Sequence, residues 1–67
     1  MFTPRSFQMG ERVKITSDLS NGEGTFGAGH EFEIIDVHAR DEGVLYDLRD
    51  HESRILMDVP FADLERE

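Results

Sequence analysis

The 67-residue chain has no cysteine and no tryptophan. Without cysteine, no disulfide framework and no thiolate metal site can reinforce a small core. Lysine is nearly missing too: Lys14 stands alone, and lysine and arginine together number 7 against 15 acids, a formal charge of −8. Nucleic-acid affinity comes largely from cations that displace counterions from phosphates, so this balance argues against a nucleic-acid partner. No stretch approaches the roughly 20 apolar residues of a membrane span. The opening MFTPRSF carries no apolar signal core. A cytoplasmic protein with no membrane partner is expected. Internal repeats, low-complexity segments and helical periodicity of useful length are also lacking.

What is present fits one small domain. A chain this short buries only about 60% of its unfolded surface, so the core is small. Residues 1–40 carry six acids and four bases, and residues 41–67 carry nine acids and three bases. The two halves are therefore at −2 and −6, and the acidity sits in the second. A basic protein partner suits that distribution.

Residues 1–6 contain Pro4 and show no periodicity, which predicts a flexible arm ahead of a single domain over 7–67. In SFQMGERVKI, residues 6–15, Val13 and Ile15 alternate with Arg12, Lys14 and Thr16, which predicts a half-buried strand. Phe7 and Met9 are expected to cover the end of the fold and Gly10 to permit a turn. Residues 17–29, SDLSNGEGTFGAG, hold four glycines with Asp18 and Asn21 and read as one long turn-rich loop. Leu19 and Phe26 are its large apolar residues. They either pin the loop to the core or, in the case of Phe26, stand displayed for a ligand.

Residues 30–38, HEFEIIDVH, form a strand with a parity break. One extra residue near Glu33–Ile34 would bring Phe32, Ile35 and Val37 to one face, as a β-bulge does. GVLYDLR (43–49) and RILMDV (54–59) flank DHES. Closing that hairpin on Asp50 and Ser53 predicts the core-side pairs Leu48–Ile55, Tyr46–Met57 and Val44–Val59. The ARDE turn (39–42) brings Ile35 and Val37 beside Tyr46, Leu48 or Val44. Pro60 ends the pairing, Phe61 and Leu64 are spaced for one helical turn, and LERE closes as a short strand.

The order is strand, long loop, bent strand, two hairpins, one 3-10 turn and a last strand. It predicts an all-β, five-stranded barrel. FQMGERVKI and VPFADLE resemble the opening and closing phrases of bacterial SH3-like domains. Both ends are also similar to the plasmid-borne type II dihydrofolate reductases. That resemblance implies an SH3-like barrel and admits a tetrameric, NADPH-using enzyme. The family's Val-Gln-Ile-Tyr stretch, however, corresponds here to Leu56-Met57-Asp58-Val59, so its glutamine and tyrosine are missing. A −8 chain would also repel the anionic folate and cofactor.

No constellation in the sequence commits to catalysis. The serines lie in arms or turns and lack an oriented base. The carboxylate pairs Asp41–Glu42 and Asp50/Glu52 lie in hairpin turns. His30, His38 and His51, with Asp36 and Glu31, flank two different turns, so no metal site is expected although Asp36 and His38 share a strand face. No cofactor is expected either. The expected function is a small acidic adaptor that binds another protein. Its contact surface is drawn at Leu19, Phe26, Arg40, Asp41, Glu42, Asp47, Asp50, Glu52 and Asp58. Self-association is also expected, because so small a barrel leaves apolar groups such as Leu45, Leu56 and Ile34 partly outside. The alternatives are a type II reductase-like enzyme and an acidic DNA mimic that occupies a regulator's basic groove.

Overall fold

The computed structural model describes residues 7–67 apart from Glu23 and Glu42, so the expected arm at 1–6 lies outside the described residues. Strand β1 (Arg12–Ile15) buries Val13 and Ile15 and exposes Arg12, as the alternation requires. It lies between β4 (Glu31–Arg40), where Val13 meets Phe32, and β7 (Leu64–Arg66), where Ile15 meets Leu64. Strands β5 (Gly43–Arg49) and β6 (Ile55–Pro60) complete an antiparallel sheet in the order β6-β5-β4-β1-β7. Phe7, Ile34, Tyr46, Leu48, Leu56 and Val59 join these residues in the core. The buried Tyr46 hydroxyl accepts a bond from the Phe7 N–H at 3.0 Å.

The all-β class expected from the sequence is what forms. The count differs, with seven strands among the described residues where five were expected. Segment 17–29 is not a plain loop. It folds into a separate two-stranded ribbon, β2 (Leu19–Asn21) and β3 (Gly24–Phe26). Side chains fasten that ribbon at both ends. Asp18 Oδ1 accepts the Ala28 N–H at 2.8 Å, and Asn21 Nδ2 donates to the Ile55 carbonyl at 2.8 Å. The five-stranded sheet is open, since β6 and β7 form its two edges and are not paired with each other.

Two registers correct the sequence reading. The bulge in β4 falls between Ile34 and Asp36, one residue later than expected. Backbone bonds explain the displacement. Gly10 donates to the Ile34 carbonyl at 2.7 Å, and Ile34 donates to the Glu11 carbonyl at 3.0 Å. These two bonds hold Ile34 in register beside Phe32, and both are 1% exposed. The extra residue is therefore Ile35, which is left half-buried. The positive φ of Gly10, 87°, lets the chain turn into this contact. Met9 beside it is 64% exposed and covers nothing.

The β5–β6 hairpin closes on Asp50 and Arg54 rather than on Asp50 and Ser53. Asp50 donates to the Arg54 carbonyl at 3.0 Å, and Ser53 sits left-handed at φ 66°. The loop is one residue longer, so Leu48 meets Leu56. A second shift follows between Tyr46 and Leu48, with Asp58 left-handed at φ 58°, and Tyr46 then meets Val59. Leu56 and Val59 are buried in consequence, and Met57 is 61% exposed. Leu56 and Ile34 are both in the core, so of the three residues expected to remain partly outside only Leu45 is half-buried; Ile35 and Ile55 are half-buried as well, and Met9, Met57 and Phe61 are exposed. The 3-10 turn (Phe61–Asp63) and β7 fall where expected, and Phe61 stacks on Phe7 at 5.1 Å.

Candidate functional site

The expected contact residues separate into two groups, and neither is the single surface drawn from the sequence. The first group surrounds the hairpin loop after β5. Asp50 is a buried hub. Its Oδ1 accepts the Glu52 and Arg54 N–H groups at 3.0 and 2.8 Å. Its Oδ2 accepts from Arg54 Nε and contacts His30 Nε2, both at 3.0 Å. Burial pushes the Asp50 carboxyl up, but the bonds from Arg54, His30 and Glu52 outweigh it and lower the pKa to about 2. The Arg54 guanidinium lies 4.8 Å over the Phe26 ring, and Phe26 packs edge-on to Phe32 and His30. Phe26 is 1% exposed. It pins the ribbon to the core, and its burial removes it from any contact surface. Leu19 is half-buried opposite it on the ribbon, and only Glu52 of this group is exposed.

The second group lies on the outer face of β4, β5 and β6, along the line of the two bulges. Asp36 and Asp47 are direct cross-strand partners. His38 stands one strand step beyond Asp36, with Nε2 2.8 Å from Asp47 Oδ2 and 3.8 Å from Asp36 Oδ2. Asp47 Oδ1 accepts the Asp58 N–H at 3.1 Å, a bond that the left-handed turn at Asp58 makes possible. Arg40 approaches Asp58 at 3.8 Å. Asp47 is only 7% exposed, which corrects its place on an open surface, whereas Asp58, Arg40 and Asp41 are exposed. Glu42 lies outside the described residues.

The His38 pKa is raised. The bond to Asp47 is the main cause, burial opposes it, the Asp47 and Asp36 charges add to it, and the Arg40 charge subtracts from it. Like charges directly opposite on paired strands destabilise a sheet. Here His38 is the group set between them. Sequence reasoning placed Asp36 and His38 on one face but left Asp47 apart. The signal that joins them is the 39–42 turn: four pairs back from Arg40–Gly43, Asp36 faces Asp47.

No protein-family model, curated protein or solved structure matches the chain.

Proposed function

We propose that the chain is a small SH3-like module that acts by binding another protein with a basic, partly apolar surface. Support for the SH3-like part is the strand order β6-β5-β4-β1-β7, with a ribbon inserted after β1 and a 3-10 turn before β7. The observation that carries the binding part is strand β6 with the turn after it. Met57 is 61% exposed, Phe61 is 38% exposed, and the exposed Asp58 lies between them in sequence. A flexible, exposed methionine on the outer strand of an acidic domain, with the partly exposed Phe61 in the turn that follows, suits an adaptable contact with a basic partner. The net charge of −8 would attract a basic partner and make the association sensitive to salt.

The test pairs purified wild type with Met57→Lys, a change at an exposed position. Partners cross-linked to the wild type at low salt are identified, purified and titrated back. The expected result is saturable binding that weakens at high salt and falls at least about tenfold with Met57→Lys. Binding unaffected by both the lysine and the salt refutes the assignment to this strand. A wild type that remains a monomer and recovers no partner refutes the module.

A further inference from the structure

We propose that Asp36, His38 and Asp47 form a binding site for one divalent transition-metal ion. The site goes beyond the protein-binding reading and does not depend on it. One ligand atom from each residue lies within 4.8 Å of the others. An ion bonded at about 2.0–2.2 Å in tetrahedral geometry holds its ligand atoms roughly 3.4 Å apart. The His38–Asp36 separation of 3.8 Å is close to that, and the His38–Asp47 separation of 2.8 Å has to open by a small side-chain movement.

Three features distinguish this group from an ordinary patch of surface acid. The first is the pairing of Asp36 with Asp47, which sets two carboxylates against each other, one of them nearly buried. Among the described residues no arginine or lysine forms an ion pair with either; Arg40, the nearest cation in the group, goes to Asp58. A cation bound to all three would take the bridging place between the carboxylates that His38 Nε2 now holds alone. The second is outer-shell support. The Asp58 N–H holds Asp47 Oδ1 and leaves Oδ2 directed at His38, the kind of secondary bond that orients a ligating carboxylate. The third is the contrast with Asp50. That carboxylate also meets a histidine, but it is engaged by four donor groups and has no coordinating capacity left.

One imidazole and two carboxylates favour zinc or another late first-row ion over magnesium or calcium. Three protein ligands leave a coordination position open to water or to a ligand from a partner.

The experiment uses the full chain, stripped with chelator, and titrates zinc, manganese and calcium separately by calorimetry. The variants are His38→Gln and Asp36→Asn, with His51→Gln as the control, and circular dichroism verifies that each is folded. A cobalt titration adds a spectroscopic readout of coordination geometry. The expected result is one zinc per chain, bound more tightly than manganese and much more tightly than calcium. Affinity falls at least about tenfold in His38→Gln and in Asp36→Asn and is unchanged in His51→Gln. Three results overturn the proposal: no zinc binding, zinc binding that survives both variants, and calcium binding as tight as zinc, which marks a merely acidic surface.

Discussion

The Asp50→Asn substitution measures how much of this small fold hangs on one carboxylate. The side chain is 0% exposed and meets four donor groups, two through Oδ1 and two through Oδ2. Asparagine keeps an oxygen for the Glu52 and Arg54 N–H groups but turns an amide N–H₂ toward Arg54 Nε and His30 Nε2. The carboxyl falls from its ordinary 3.8 to about 2 in the fold. At about 1.4 kcal/mol for each unit, that difference contributes about 2 kcal/mol at neutral pH. A domain of this size has a total stability of about 3–10 kcal/mol. Asp50→Asn should therefore lower the melting temperature by on the order of 10 °C at pH 7. Asp50→Ala, which leaves all four donors without their acceptor, should cost about 3–5 kcal/mol. The pH dependence has a definite sign. A carboxyl with a depressed folded pKa stabilises above its unfolded value and loses that contribution as acid approaches the folded one. The gap between wild type and Asp50→Asn should thus hold from pH 7 down to about pH 5 and shrink by roughly half at about pH 3. Chemical unfolding followed by circular dichroism at several pH values measures it. A gap below about 0.5 kcal/mol at pH 7, or one constant across the acid range, refutes the hub.

Three further outcomes follow from the geometry. Leu56→Ala should cost about 2–5 kcal/mol and Met57→Ala less than about 0.5 kcal/mol, because the hairpin buries the first and exposes the second; comparable losses in unfolding experiments would restore the other register. Gly10→Ala should cost about 1 kcal/mol from its φ of 87° alone, since nothing lies within 4 Å of an added methyl, while Gly22→Ala should be neutral or slightly stabilising; equal effects in thermal melts would contradict this. An NADPH-coupled assay should show no dihydrofolate reduction. Leu56 and Val59 are in the core, Asp58 is left-handed, and Met57 presents a thioether where such an enzyme would need hydrogen-bonding groups; turnover above background would reopen the enzyme reading.

The parts legible in the sequence are those set by period two. Val13, Ile15, Phe32, Tyr46 and Leu48 are buried where alternation puts them, and the 3-10 turn and last strand follow Pro60 as its chemistry dictates. The departures share one physical origin. Alternation specifies which residues share a face only until a residue is inserted, and the position of an insertion is decided by hydrogen bonds that hydrophobicity does not encode. In β4 the deciding bonds run from Gly10 and to Glu11, more than twenty positions away along the chain. In the hairpin the decision belongs to Asp50, whose carboxylate draws in the N–H groups of both Glu52 and Arg54 and so selects the longer loop. Ile55, Leu56 and Val59 are all apolar, so patterning alone accepted either register. One bond of the candidate site is a product of the same insertions. The turn at 39–42 brings Asp36 opposite Asp47, but only the slip at Tyr46/Leu48 and the left-handed Asp58 supply the N–H that fixes Asp47. A sheet with unbroken alternation through β6 would retain the opposed carboxylates and lose the bond that orients them. The slip at Tyr46/Leu48 thus sets the register of the hairpin and, by the same displacement of one residue, supplies the N–H that orients Asp47.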